Sequence, residues 1–138
     1  MLLVSPIAAK LRTEALTIMT SSGRHDFQVE IAQSETEKSV GLMFRRSLPR
    51  RSGMLFVHER PSELTMWMKN TYIPLDMIFI RGDGMVHRIA KRTEPFSESI
   101  IASQGDVTAV LEVAAGVADE IGLKAGDTVL HRAFKNGR

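Results

Sequence analysis

The stretch that most constrains this chain runs from Leu64 to Ile80. It carries strand periodicity at both ends and a loop that cannot be regular in its middle. From Leu64 to Lys69 the residues alternate, the period of a half-buried strand. Leu64, Met66 and Met68 share one face, and Thr65, Trp67 and Lys69 share the other. Asn70-Thr71-Tyr72-Ile73-Pro74 breaks the pattern: Asn and Thr bond their own backbone in turns, and Pro74 pushes Ile73 into an extended conformation. Met77-Ile78-Phe79-Ile80 is apolar on both faces, as expected of a central strand. Asp76 stands at its entrance, where a carboxylate must be solvated or paired, because an isolated buried charge is very costly.

The flanking segments are short and strand-like. Ala15–Thr20 and Phe27–Ile31 alternate around Ser21-Ser22-Gly23, which predicts a hairpin. Ser34-Glu35-Thr36-Glu37 is a capping box that opens a short helix to about Met43, burying Leu42 or Met43 together with Val40. Gly41 within it costs about 1 kcal/mol relative to Ala, which points to close packing against a strand. Gly53–Val57 reads as a strand and His58–Ser62 as a polar loop. Gly82-Asp83-Gly84 between apolar runs predicts a hairpin from Asp76–Ile80 into Met85–Arg92. Glu94–Asp106 reads as a long irregular connection, Val107–Ala114 as a strand, and 116–121 as a short helix closed by Gly122. Thr128–Phe134 is the last strand.

Eight short strands and two short helices, neither helix regularly placed for a βαβ crossover, predict a mainly β domain. We expect a compact curved antiparallel sheet or small barrel. Residues 15–134 form that single domain, with an N-terminal arm or signal remnant at 1–14 and a tail at 135–138. No apolar run reaches the roughly 18 residues of a membrane-spanning helix, and Met1–Ala9 is not a complete signal peptide. The net charge of +2 over 138 residues makes too weak a field to mark a nucleic-acid binder. With no cysteine there is no disulfide, thiol nucleophile or thiolate metal site, and the compartment is left open.

Four landmarks stand in order: Gly41-Leu42-Met43 after a capped helix; Gly53-Met54-Leu55-Phe56; Trp67-Met68-Lys69-Asn70-Thr71 through Pro74-Leu75-Asp76; and Leu111-Glu112-Val113 with Gly116 and Gly126-Asp127. This set resembles the DUF192 family, a bacterial and archaeal domain of unassigned function, over roughly Thr17 to Phe134. The resemblance implies a compact β domain with small helical insertions and an extracytoplasmic, for instance periplasmic, location. It supplies no catalytic residues.

The chain lacks the G-x-S-x-G elbow, the phosphate-binding glycine loops and H-E-x-x-H. Its four histidines have no ligand spacing, and His58-Glu59 near Glu63 is the best metal candidate in a sequence that predicts no metal or other cofactor. Trp67, Lys69, Asn70 and Asp76 bracket one tight loop, and Glu112 is the odd polar residue of an apolar strand. Either they brace the fold, or they line a polar site at one end of the barrel, where a Trp wall suits a sugar or other polar ligand. The expected function is therefore a small ligand-binding or accessory module, its partner a small polar molecule or a protein. A hydrolase-like enzyme with Asp76 or Glu112 as general base is the second reading. Polyanion or nucleic-acid binding through Arg45, Arg46, Arg50 and Arg51 is the third; nucleic acid is not expected, because the aromatics are not interleaved with basic residues.

Overall fold

A computed structural model describes residues 11–136, so the start of the expected N-terminal arm and the last two residues of the tail lie outside the described part. Strand accounts for 49% of the chain against 10% helix, which makes the domain mainly β as expected. Seven strands run in sequence as β1 (Thr13–Thr20), β2 (Gly23–Ala32), β3 (Ser52–Met66), β4 (Leu75–Ile80), β5 (Val86–Ala90), β6 (Ile101–Ala114) and β7 (Thr128–Leu130). Helix α1 (Glu35–Val40) separates β2 from β3, and α2 (Val117–Glu120) follows β6. The strands make one sheet in the order β5-β4-β6-β3-β2-β1-β7, curled into a half-barrel. A bridge between Met85 and Thr128 joins its two edges.

The expected hairpins are present: β1 pairs antiparallel with β2 around Ser21-Ser22, and β4 with β5 around 82–84. Three expectations need correction. The last strand ends at Leu130, and Arg132–Phe134 wind into a 3-10 helix instead of continuing it. Strands β2 and β3 are parallel, with α1 inside the connection between them, so this helix does serve a crossover. The polar residues His58–Ser62 belong to β3, which continues through them; the register against β6 shifts between Val57 and Ser62, and this irregularity absorbs the polar segment. The start of the expected connection at 94–106 is irregular, but β6 already begins at Ile101.

Alternation decides how the sheet is covered. Ile78 and Ile80 of β4, Leu55 of β3, and Ala109, Leu111 and Val113 of β6 pack with Leu16, Phe27 and Val129 from the far strands. Residues from so many parts of the sheet meet in one cluster only inside its curl. The opposite faces of the same central strands carry Met54, Phe56, Met77, Phe79 and Val110, under Leu42, Leu64 and Met68. Strands buried on both faces explain the apolar run at 77–80. The predicted capping box is formed: Ser34 accepts from the Glu37 amide at 3.1 Å, and Glu37 accepts from the Ser34 amide at 2.9 Å. Gly41 ends α1 at φ +50, and a Cβ there would stand 3.0 Å from the Phe56 ring. The glycine is thus needed for close packing and for its backbone conformation alike. Leu42, just after the helix, supplies the buried anchor.

Asp76 locks the other helix. It is 1% exposed, and its carboxylate accepts three backbone N–H groups: Arg92 at 2.9 Å, Gly116 at 3.0 Å and Ala118 at 2.9 Å. Helix α2 has no cap from its own N-terminal side, where Gly116 sits at φ +95, so Asp76 caps it from across the fold. Both oxygens are thereby satisfied and the charge is stabilised by amide dipoles. The side-chain amide of an asparagine in its place would confront N–H donors with another donor. Asp76→Asn should therefore lower unfolding stability by about 2–4 kcal/mol in chemical denaturation with an unchanged slope. A loss below about 1 kcal/mol would contradict the capping role.

Candidate functional site

A cleft of about 240 Å³ opens on the outer face of the sheet, between α1 with its following turn, the second half of β3 and the 67–71 loop. Its position follows from the fold: the crossover carries α1 over the face where Met54 and Phe56 lie, and β3 returns past it at Leu64–Met66. Val40, Leu42, Phe56, Leu64 and Met66 make its apolar walls, and Ser39, Thr65 and Thr71 add hydroxyls.

Glu112 belongs to this lining. It sits on β6 between its cross-strand partners Met54 and Met77, in the outer apolar cluster, and is 4% exposed. No described residue hydrogen-bonds its carboxyl group, and the residue lines the cleft. Burial pushes its pKa up from 4.5 to about 8. At neutral pH it is a neutral acid, with one O–H to donate and lone pairs to accept.

Cations stand on the walls above it. Lys38, from α1, reaches its ammonium to within 3.2 Å of the Glu35 carboxylate and 3.2 Å of the Val57 carbonyl. It also lies 3.3 Å from His58 Nδ1. The ammonium can only donate, so Nδ1 accepts and the imidazole proton sits on Nε2. Burial first, and then the Lys38 charge, hold the His58 pKa below its usual value, which keeps the ring neutral. Lys69 is half-buried with its ammonium 5.1 Å from the Trp67 ring centroid, a cation–π contact. Trp67 itself is 42% exposed.

The structure thus brings Trp67, Lys69 and Glu112 to one cleft and leaves two candidates out of it. Asn70 holds its loop: at φ +54 its carbonyl accepts from the Phe44 amide at 2.9 Å. Asp76 is engaged by backbone amides and lies toward the inside of the curl, opposite Val113. The arginine loop is dispersed, with Arg45 paired to Glu30, Arg50 to Glu120, Arg51 over the Phe27 ring and Arg46 over Tyr72. Among the described residues no three His, Asp or Glu side chains gather as a metal site, and His58 faces Lys38 instead. Lys38 and His58 are the site residues that sequence reasoning missed as a pair. The capping box placed Lys38 on a helix, but only the crossover brings that helix to β3.

A buried acid among apolar neighbours is a cost to folding that the sheet retains. Between pH 4.5 and about 8 the unfolded chain loses the Glu112 proton while the folded chain keeps it, so stability falls as pH rises through that window. Glu112→Gln lacks this titration. Its stability relative to wild type should climb from pH 4.5 to 8, by on the order of a few kcal/mol in denaturation series. A difference independent of pH would contradict the buried neutral acid.

Comparisons with other proteins agree with this architecture. A proposed transcription regulator from Sinorhizobium meliloti 1021, of known structure, superimposes with a TM-score of 0.88 at 39% identity, over 91% of this chain and 98% of that one. A protein of unknown function from Novosphingobium aromaticivorans superimposes with a TM-score of 0.87 at 40% identity, over 94% of this chain and 91% of that one. No curated protein matches the sequence. The model of DUF192, a family described as uncharacterized, matches residues 17–131, and with that span the chain belongs to the DUF192 family.

Proposed function

We propose that this protein is a small-ligand-binding module whose site is the cleft floored by Glu112. The observation that carries this reading is the carboxyl group of Glu112, buried among methionines, bonded to no described residue and lining a cleft. Buried polar groups are otherwise paired, and an unpaired one at a cleft is a place for a ligand atom. The cleft is smaller than most drug-sized pockets, so the ligand, or the part of it held here, is about the size of one sugar ring or less. Ser39 and Thr71 already donate to the Glu35 and Lys69 carbonyls, at 2.8 and 3.0 Å, so their oxygens accept; with the Thr65 hydroxyl and the neutral acid they favour a ligand rich in donors that also carries acceptors. Lys38 and Lys69 on the walls disfavour a cation. An extracytoplasmic location, as the family resemblance implies, suits a module that collects such a ligand.

Catalysis is the second reading, and one observation favours it: an acid with a pKa near 8 is poised to give a proton at neutral pH. In that reading Glu112 is a general acid rather than the base expected from the sequence, and Asp76 has no part. Nucleic-acid binding has less support. The Sinorhizobium protein's description would carry it to this chain through the arginine loop, but Arg45 and Arg50 are engaged with Glu30 and Glu120.

The test is Glu112→Met in an NMR screen of small hydroxylated and carboxylated compounds. Methionine fits beside Met54 and Met77, so the variant should fold with stability equal to or above wild type. Compounds that shift the amides of Ser39, Thr65 and Thr71 in wild type should lose at least about tenfold in affinity. Ligands that bind the variant unchanged would remove Glu112 from the site.

A further inference from the structure

Next to the cleft stands a group of aromatic side chains that the core does not use. Tyr72 packs edge-on to Phe44 with centroids 6.5 Å apart and tilted against Phe96 at 5.2 Å. Phe44 is 46% exposed and Phe96 57%. Both have φ +67, a left-handed backbone that is unfavourable for a bulky residue. They are held there by the central loop: the Phe44 amide bonds the Asn70 carbonyl at 2.9 Å, and the Phe96 amide bonds the Thr71 carbonyl at 3.1 Å. The fold thus commits backbone strain and hydrogen bonds to presenting two phenyl rings to water. Phe44 and Tyr72 directly follow Met43 and Thr71, which line the cleft, so the aromatic group is anchored at the cleft's edge through the chain.

Charge indicates what covers it. The Arg46 guanidinium lies 5.2 Å from the Tyr72 centroid and has no acidic partner among the described residues; nor has Lys69 beside Trp67. Two cations on aromatic rings suit a ligand with one or two carboxylates. They are too few to follow a phosphate backbone, which takes a track of basic groups. Exposed rings beside hydroxyl-lined polar space suit the apolar faces and hydroxyl edges of sugars.

We propose that the cleft and the Phe44–Tyr72–Phe96 group together bind a segment of acidic glycan, with one sugar in the cleft and the next across the aromatic rings toward Arg46. This rests on the cleft being a ligand site, and the test separates the two. Binding of D-galacturonate, tri-galacturonate and the neutral maltotriose is measured by calorimetry and NMR at low salt on wild type, Phe96→Ala, Arg46→Gln and Glu112→Met.

Tri-galacturonate should bind wild type at least about tenfold more tightly than galacturonate and than maltotriose. Phe96→Ala and Arg46→Gln should each remove most of that gain while leaving galacturonate binding as it was. Glu112→Met should weaken both acidic ligands. Equal affinity for the single sugar and the trimer would overturn the extended site and leave the cleft reading standing. Equal affinity for maltotriose would overturn the acidic assignment. Absence of binding by every sugar would overturn the glycan proposal, with the cleft still judged by the fragment screen. A concentration-dependent dimer in sedimentation, abolished by Phe96→Ala and unaffected by sugars, would assign the face to a second copy of the chain instead.

Discussion

The three amide hydrogen bonds to the Asp76 carboxylate hold together the parts on which the rest depends. They join the start of β4 to the turn at Arg92 and to the first turn of α2, whose own N-cap residue, Gly116, has no side chain to cap it. Fixing the entrance of β4 also fixes the exit of the 67–74 loop. That loop in turn supplies the carbonyls of Asn70 and Thr71 that hold Phe44 and Phe96. A charged group is better suited to this than a neutral one, because it accepts from several donors at once and each bond is charge-assisted.

Glu112 is the counterpart, and the contrast shows how environment sorts two carboxyl groups on adjacent strands. Asp76 is opposite Val113 and Glu112 is opposite Met77, so they lie one residue apart in register on opposite faces of the same pair. The inner one is surrounded by amides and is satisfied. The outer one has thioether and phenyl neighbours and no hydrogen-bond partner among the described residues. Acids whose surroundings oppose their charge cluster at working sites, because a folded protein gains nothing from them structurally. The cation walls of the cleft follow the same division: the Lys38 charge is shared among Glu35, Val57 and neutral His58, whereas among the described residues Lys69 rests on the Trp67 ring without an acidic partner.

Much of this is legible in the residues and some is not. The capping box, the 21–23 and 82–84 hairpins, and the inward methionine face of Leu64–Met68 follow from local chemistry that packing does not override. The alternation at 107–113 correctly sets Glu112 apart from Leu111 and Val113. The parallel pairing of β2 and β3 is not legible, because a six-residue helix is too short to announce a crossover. Nor is the continuation of β3 through His58–Ser62, where polar residues sit at a shift in register rather than in a loop. Asp76 stands out in the sequence, but its partners are backbone N–H groups, which nearly every residue carries and no sequence pattern marks. Lys38 and His58 meet only through the fold, 20 residues apart along the chain.

Whether Glu112 is a buried neutral acid beside an open cleft can be read directly from its ionisation. In protein labelled with carbon-13, the Glu112 side-chain carboxyl resonance is followed across the acid-to-alkaline range alongside the exposed glutamates. Its midpoint should lie at about 8, far above the others. The midpoint should move when a compound enters the cleft. An ordinary glutamate midpoint of about 4.3, indifferent to any cleft-bound compound, would show that Glu112 is an ionised, solvated carboxylate instead.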